Sequence, residues 1–469
     1  MMIDAPKEYR DLGSYLALGP TELANSVLHC PLCGKDHSVP IGRIELGRGL
    51  AAELPEIASE ILGHAARKTA IIYDAAIEDL VRELVIERAA ALVPVPVALG
   101  APGLHLETSE GVASAAAASL DADVELVVGV GSGVIADLTK WIATKARLPF
   151  MLYATAASMN AHASITAAAS RGGVKESVLL EPAAAVLFDL DAIETAPRPM
   201  RLAGLGDLMA RSSCNADWKL GHLMLGASFC PVPYELTASG EAACLTAAQG
   251  IGAGEDAALL VLSRATIVSA ISMTMMGGET SASSGCEHVL SHFWDLQAEL
   301  EGAPKNLHGI QVGIGTLISH ALWHRLRGID PRSIDPERLA ALRPSRELLR
   351  AENRARFGAA AGIFDAALES KRIPEAEFVR RITLLLSGWD EMWAELSPFI
   401  GDRLAIRRAL EKAGFELSLA AIHRTRRQAL EALSFGARFR SRYTILDLAG
   451  ELGILPASAE EILEEAEID

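Results

Sequence analysis

The spacing of hydrophobic and polar positions changes near residue 200 and divides the chain into two parts. Before that point, short aliphatic runs alternate with segments whose apolar residues recur at helical spacing. Such alternation of strands and helices predicts a parallel, doubly wound sheet. The predicted strands are 41–46, 68–73, 95–99, 124–128, 149–153 and 186–189, and the predicted helices are 54–66, 77–88, 110–120 and one that begins at Val134.

From Met200 onward the apolar positions keep helical spacing almost to the end, and glycine and proline signals separate the segments. This pattern predicts an all-helical domain. The fold class is therefore α/β, with an N-terminal Rossmann-like doubly wound parallel sheet and an all-helical C-terminal domain. We expect the first domain over residues 1–198 and the second over residues 199–469.

The glycine-rich turn after the strand at 124–128 is the most informative stretch. Gly129, Gly131 and Gly133 lie between this strand and the following helix, with Ser132 among them. Backbone N–H groups and the positive end of the helix dipole converge at such a turn, which suits a phosphate. The pattern is neither the Rossmann G-x-G-x-x-G nor a Walker motif. The alternative is a tight strand-to-helix connection without a ligand.

The net charge and composition exclude some classes of binding partner. A formal net charge of -17 repels nucleic acid and anionic membranes, so we expect neither as a partner. The N-terminal residues show no basic region followed by an apolar core, and Arg264 interrupts the apolar run near 257–276. We therefore expect no signal peptide and no membrane insertion, and a cytoplasmic location with reduced cysteines.

One cysteine pair is closely spaced. Cys30 and Cys33 form a C-x-x-C flanked by His29 and His37. Zinc generally needs four ligands, and no second C-x-x-C or histidine pair follows. A metal-binding turn and a plain surface turn both stay open.

Three separated segments of the second half carry residues typical of a metal site. Asp207, His288 and His308 supply one carboxylate and two imidazoles, the number and type that bind a divalent metal with an open coordination position. His292 follows His288 by four residues and shares its helix face. In the first half, Asp74 follows a predicted strand, where an acid holds ribose hydroxyls or caps the next helix.

Several stretches, in this order and spacing, resemble the glycerol-1-phosphate dehydrogenases, in particular their bacterial branch. They are GVGSGVIADLTKW, TAASMNAHAS, AGLGDLMAR with DWKLGH, SGCEHVLSH, LHGIQVGIGT and RYTILDLAGELGIL. This family lies within the superfamily of iron-containing alcohol dehydrogenases, glycerol dehydrogenases and dehydroquinate synthases. The resemblance implies a dehydroquinate synthase-like fold with a nicotinamide-binding domain and a helical domain that binds metal and substrate.

The implied activity interconverts dihydroxyacetone phosphate and sn-glycerol-1-phosphate. The implied cofactors are NAD or NADP and one divalent metal ion, zinc, nickel or iron. The expected partner is a small phosphorylated ketone or polyol, and the expected assembly is a homodimer or larger homo-oligomer.

The resemblance also assigns residues. Asp207, His288 and His308 match the metal ligands and are the expected catalytic centre. Arg211 stands where related enzymes place a fourth ligand histidine, so three protein ligands are expected. The implied substrate contacts are Asn160, Arg211 and His292. The implied cofactor contacts are Asp74, Gly131, Ser132, Gly133, Asp137, Thr155, Ser158 and Lys175.

One departure keeps alternatives open. Family members commonly have Asp-Gly in the loop where this chain has Asn160 and Ala161. An amide cannot serve as a charged base. A glycerol or other polyol dehydrogenase, a dehydroquinate-synthase-like cyclase and a binding protein without turnover are the alternatives.

Overall fold

The strands build one large sheet and two small ones. This computed structural model describes residues 5–101, 106–171 and 174–468. The strands are β1 (Lys7–Tyr9), β2 (Ser26–His29), β3 (Asp36–Val39), β4 (Arg43–Gly47), β5 (Thr69–Asp74), β6 (Pro94–Leu99), β7 (Leu126–Gly131), β8 (Phe150–Ala154), β9 (Thr166–Arg171), β10 (Val174–Leu179) and β11 (Ala185–Asp189). The large sheet has the order β4-β11-β8-β7-β5-β6 and is parallel throughout.

Each of the predicted strands is a strand of this large sheet. The central strands β7, β8 and β11 are buried at every residue, as expected for a parallel sheet covered on both faces. The prediction missed two small sheets. One joins β1, β2 and β3, and the other pairs β9 with β10. The predicted helix 77–88 is instead a short α-helix followed by the π-helical turn Arg82–Ile86.

Most of the remaining chain is α-helical, and the second half contains no strand within the described residues. The helices are α1 (Leu12–Leu16), α2 (Leu54–Leu62), α3 (Glu78–Val81), α4 (Glu110–Ser119), α5 (Gly133–Ala146), α6 (Leu190–Ile193), α7 (Arg198–Met209), α8 (Arg211–Leu225), α9 (Val232–Ala253), α10 (Asp256–Thr274), α11 (Cys286–Glu301), α12 (His308–Arg327), α13 (Pro336–Leu342), α14 (Arg346–Phe357), α15 (Ala361–Lys371), α16 (Glu375–Ser387), α17 (Trp389–Leu396), α18 (Arg403–Ala413), α19 (Arg426–Phe435), α20 (Ile445–Glu451) and α21 (Ala459–Ala466). The predicted fold class is confirmed.

The chain packs into two units whose boundary differs from the predicted one at residue 198. The first unit comprises the chain up to Arg171 with Lys175–Leu208 and Cys230–Thr280, and the second consists mainly of Met209–Phe229 and Ser281–Asp469. The first unit is therefore discontinuous in sequence: the chain leaves it within α7 and returns to it for α9 and α10.

Hydrogen bonds explain why α10 belongs with the sheet. The Thr274 hydroxyl donates to the Ala163 carbonyl at 2.8 Å and accepts from the Ile165 N–H at 3.3 Å. The Asn160 amide donates to the Ser269 hydroxyl at 2.9 Å. These contacts join α10 to the loop after β8, so a helix far along the chain completes the first unit.

Helix α10 also has the length and composition of a membrane span. Of its most apolar window, 72% is buried inside the protein. It packs lengthwise against α9. A core helix of a folded domain has the same length and apolar composition, so this helix is weak evidence for a membrane.

Candidate functional site

Three histidines of the second unit lie in contact. His288 and His292 are one turn apart on α11, and His308 is the first residue of α12. The ring centroids of His288 and His308 are 5.0 Å apart, and those of His292 and His308 are 5.3 Å apart in a stacked arrangement. The structure therefore brings together the histidines that the sequence singled out.

A buried carboxylate orients His288. Glu287 is fully buried, and its Oε1 lies 3.0 Å from the Nδ1 atom of His288 and accepts the Gly285 N–H. Its Oε2 accepts from the Ser213 hydroxyl at 2.8 Å. Burial alone raises the pKa of Glu287, but the hydrogen bonds from His288 and the backbone outweigh it and hold the pKa below its usual value. An ionised carboxylate only accepts, so the proton of a neutral His288 is on Nδ1 and its Nε2 keeps a lone pair.

A chain of hydrogen bonds fixes His308 in the same way. The Gln311 amide donates to Asp295 at 3.1 Å, so its oxygen faces Ser291, whose hydroxyl donates to it at 2.7 Å. Ser291 has one hydrogen and has used it, so it accepts from the Nδ1 atom of His308 at 3.2 Å. The Nε2 atom of His308 therefore also keeps a lone pair.

His292 has the opposite proton arrangement. The Arg440 guanidinium lies 2.9 Å from the Nδ1 atom of His292. A guanidinium has only donors, so Nδ1 accepts and a neutral His292 carries its proton on Nε2. Neutral His292 thus offers a hydrogen-bond donor where His288 and His308 offer lone pairs.

Asp207 lies near the end of α7 and is buried. Its Oδ2 atom accepts the Asn160 N–H at 3.3 Å. One carboxylate and two imidazoles, the side-chain types of Asp207, His288 and His308, are a donor set that can hold a divalent metal ion. Asn160 positions this carboxylate through its backbone, while its side chain is bound to Ser269.

The start of α11 is anchored from both sides. Asp217 accepts the N–H of Cys286 and the N–H of Ile445, each at 2.6 Å. Burial raises the pKa of Asp217 well above its ordinary value, and the neighbouring Glu287 adds to the rise. The stretch that begins at Tyr443 therefore holds the first turn of the helix that carries His288.

The glycine-rich turn joins β7 to α5 as predicted. A Cβ at Gly131 would lie 2.6 Å from the Cβ of Ile135, and a Cβ at Gly133 would lie 2.2 Å from the Sδ of Met159. The Cβ of Ile135 leaves no room for a side chain at Gly131, whereas the flexible Met159 side chain beside Gly133 could move aside. The alternative of a tight connection accounts for Gly131, and a bound cofactor stays a prediction.

A histidine that the sequence analysis did not assign supports this turn. His162 is buried and its Nε2 lies 3.0 Å from the Gly131 carbonyl, which also accepts the Thr155 N–H at 3.1 Å. Burial lowers the pKa of His162 to about 4, so the ring is neutral at pH 7 and donates. His162 lies in the stretch TAASMNAHAS, but the sequence does not indicate that its ring contacts the Gly131 carbonyl.

Asp137 has internal partners. Its carboxylate pairs with Lys140 at 2.7 Å and accepts the Ala168 N–H at 2.9 Å. The ammonium of Lys140 is also buried and donates to the carbonyls of Ala161 and Ser164 at 3.0 and 3.3 Å. This buried pair fixes the segment between β8 and β9. A cofactor contact by Asp137 stays a prediction.

The other predicted contacts occupy varied positions. Asp74 ends β5 and accepts the Ala76 N–H at 2.9 Å, which is the capping alternative; its ribose contact stays a prediction. Thr155 and Ser158 lie buried in the loop after β8. Arg211 begins α8. Lys175 lies in β10, and its side chain is outside the described part of the chain.

Comparisons with known proteins agree with the resemblance. Residues 45–197 match the family model of the iron-containing alcohol dehydrogenases. The glycerol-1-phosphate dehydrogenase [NAD(P)+] of Geobacillus thermodenitrificans is 34% identical over 220 residues, 45% of this chain and 54% of the relative. That of Pyrococcus horikoshii is 33% identical over 211 residues, 44% of this chain and 60% of the relative. The chain thus spans about half of the first relative and three fifths of the second.

Solved structures with the same fold cover almost the whole chain. A probable glycerol dehydrogenase from Sinorhizobium meliloti superposes with a TM-score of 0.57 at 15% identity, over 91% of this chain and 97% of that one. Maleylacetate reductase from Rhizobium sp. superposes with a TM-score of 0.54 at 13% identity, over 92% and 97%. Together these comparisons confirm the resemblance and the fold.

Proposed function

We propose that this chain is a metal-dependent, NAD(P)-linked dehydrogenase that interconverts dihydroxyacetone phosphate and sn-glycerol-1-phosphate. The observation that carries the proposal is the proton arrangement of the histidines. His288 and His308 keep Nε2 lone pairs, whereas His292 keeps an Nε2 donor. Two such imidazoles could hold a divalent ion, and the Nε2–H of His292 could donate to a substrate oxygen. The names of the relatives support the substrate and the cofactor.

Asp207, His288 and His308 are the proposed ligands of one divalent ion. The donor set fits, because two imidazoles with outer hydrogen bonds from a carboxylate and a hydroxyl are the usual arrangement of metal-binding histidines. A bound divalent ion polarises a substrate carbonyl as a Lewis acid. Carboxylate and imidazole ligands accept zinc, nickel or iron, and these are the metals we propose.

His292 and Arg440 are the proposed substrate contacts in the helical unit. The Nε2–H of His292 can donate to a substrate oxygen, while the hydrogen bond from Arg440 keeps that proton in place. Arg440 also brings a cation next to the histidines, as recognition of a phosphorylated substrate requires. Arg211 is a second candidate. Lys219, another cation nearby in sequence, is not favoured as a phosphate contact, because it forms an ion pair with Glu395 at 2.8 Å.

The turn between β7 and α5 is the proposed dinucleotide site. Helix α5 begins at Gly133 and is 14 residues long, so its N-terminal N–H groups and dipole favour a pyrophosphate. Ser132, Thr155 and Ser158 are the proposed polar contacts, with NAD or NADP as hydride donor. Asn160 takes the role of holding Asp207 through its N–H, which requires no charged side chain.

The test follows oxidation of reduced nicotinamide by absorbance. Protein reconstituted separately with zinc, nickel and iron is offered dihydroxyacetone phosphate or dihydroxyacetone with NADH or NADPH. We expect turnover with the phosphorylated ketone that needs added metal. His308→Gln should abolish it, while His324→Gln, an exposed histidine on the same helix, should leave it unchanged.

Other outcomes decide between the alternatives. Turnover with dihydroxyacetone alone assigns the chain to the glycerol dehydrogenases, whose fold it shares. No turnover with any metal and cofactor overturns the proposal, and the chain would then be a binding protein or a cyclase.

The assembly and location belong to the same proposal. We propose a cytoplasmic homodimer or larger homo-oligomer acting on a small molecule. Light scattering tests the assembly, because one chain has a mass of 49.7 kDa and a dimer has twice that.

A further inference from the structure

A second group of potential metal ligands lies entirely within the first unit. It consists of Cys30, Cys33, His37 and Cys230, whose ligand atoms all lie within 4.8 Å of one another. Cys30, His37 and Cys230 are buried, and Cys33 is partly exposed. We call these four residues the thiol cluster. The proposed function does not use it.

The distances match tetrahedral zinc. The Sγ atoms of Cys30 and Cys230 are 3.8 Å apart. Zn–S bonds of about 2.3 Å in a tetrahedron place two sulfurs about 3.8 Å apart, whereas a disulfide requires about 2.05 Å. The Cys33 Sγ lies 3.2 Å from the Nε2 of His37, close to the separation of two ligands on one ion. Three thiols and one imidazole are a complete structural zinc set.

The local backbone presents these ligands together. The turn after β2 contains Cys30 and Cys33, and the Gly34 N–H closes it by donating to the Cys30 carbonyl at 3.0 Å. Gly34 has a φ of 69°, a conformation that glycine adopts without strain. The chain then enters β3, which carries His37. The C-x-x-C therefore belongs to a folded hairpin.

Outer hydrogen bonds support the same assignment. The His37 ring hydrogen-bonds to the backbone of Met275, as metal-bound histidines do through their second nitrogen. Cys230 precedes α9 and receives a hydrogen bond from the Val232 N–H.

We propose that Cys30, Cys33, His37 and Cys230 bind a structural zinc ion. The ion links the β2–β3 hairpin to the start of α9, although Cys30 and Cys230 are 200 positions apart in sequence. It thereby fixes the returning segment Cys230–Thr280 to the first unit. All four ligands come from the protein, so this zinc has no open position for substrate.

Cobalt substitution tests the proposal without reliance on turnover. Thiolate ligands give Co²⁺ an intense charge-transfer band in the near ultraviolet, and carboxylate and imidazole ligands do not. We expect this band in the cobalt-loaded protein and in Cys244→Ser, a buried cysteine on α9 outside the thiol cluster. Cys33→Ser should weaken or remove it. A cobalt-loaded protein without the band overturns the proposal, as does an unchanged band in Cys33→Ser.

Metal content gives an independent measurement that does not require a cysteine variant. His308→Gln removes a ligand of the proposed catalytic site and leaves the thiol cluster intact. This variant, purified without added metal, should retain about one zinc per chain, which a mercurial thiol reagent should release. Loss of both activity and zinc would point to one metal site only. Metal-free protein in which Cys30 and Cys33 form a disulfide would make the thiol cluster a redox pair and overturn the zinc assignment.

Discussion

Glu287→Gln tests whether a buried carboxylate prepares His288 for metal. The wild-type carboxylate accepts from the Gly285 N–H, the His288 ring and the Ser213 hydroxyl. Glutamine keeps the shape, and its NH₂ can face Ser213, whose hydroxyl rotates to accept. His288 then keeps its proton on Nδ1 but loses an ionised partner.

The expected effect follows from the difference between charged and neutral hydrogen bonds. A hydrogen bond to a charged group contributes about 1.5–3 kcal/mol and a neutral one about 0.5–1.5 kcal/mol. The difference of about 1–1.5 kcal/mol predicts roughly a tenfold weaker metal affinity, the low end of the range seen for such outer-ligand changes. Stability should not fall in parallel, because Glu287 lies near the buried Asp217 carboxyl and raises its pKa.

The assay is competition for zinc with a chromogenic chelator, alongside thermal unfolding. Glu451→Gln is the control, since this carboxyl is a partly buried group of the helical unit that binds Tyr443 and Arg381 instead of a histidine. Its metal affinity should equal that of wild type. If folded Glu287→Gln binds zinc within twofold of wild type, Glu287 does not tune His288 and the proton assignment loses its support.

Three further predictions concern other parts of the chain. Arg440→Met removes a proposed charged hydrogen bond to the phosphate and should raise the KM for dihydroxyacetone phosphate at least about tenfold. The KM for dihydroxyacetone should stay nearly unchanged. Equal effects on both ketones in steady-state kinetics would contradict a phosphate contact. Lys140→Met leaves the buried Asp137 carboxylate without its cation and should cost about 3–5 kcal/mol in urea unfolding, whereas a loss below about 1 kcal/mol would refute a required ion pair. Burial holds the pKa of His162 at about 4, so as pH falls the unfolded chain binds the proton before the folded chain does. The free energy of unfolding should therefore fall by up to about 3 kcal/mol between pH 6.5 and pH 4. In urea titrations His162→Gln should make this pH dependence shallower, and an equal pH dependence would contradict a buried neutral ring.

The large sheet was predictable because its strands are buried on both faces. Continuous aliphatic runs such as those of β7 and β8 record that burial directly in the sequence. The strands of the small sheets have no such continuous aliphatic runs. Strand β9 reads TAAASR, a composition with little preference for strand, and it forms through pairing with β10.

The domain boundary shows how a local signal can mislead. Pro197 and Pro199 suggested a break, but α7 begins at Arg198 and accommodates Pro199 in its first turn. The hydrogen bonds of α10 to the loop after β8 show that the first unit continues to Thr280. Such contacts join residues about a hundred positions apart, where spacing in sequence carries no information.

The candidate site was predictable to the level of residue type but not of proton position. Spacing and resemblance singled out His288, His292 and His308, and the structure places their rings together. Which nitrogen carries each proton depends on Glu287, Ser291 and Arg440, residues to which the sequence analysis assigned no role. The thiol cluster was incomplete in sequence for a similar reason, because its last member, Cys230, lies far from the C-x-x-C.

The discontinuity of the first unit also governs how the chain is made. The ribosome has synthesised every strand of the large sheet by Asp189, but α9 and α10 emerge only after Met209–Phe229, a segment of the other unit. At about 5–20 residues per second, the sheet waits several seconds for the helices that complete it. During that interval the loop after β8 lacks its partners on α10, and the nascent chain exposes apolar surface that chaperones recognise. A fragment that stops at residue 198 lacks α9 and α10 and therefore keeps that apolar surface exposed.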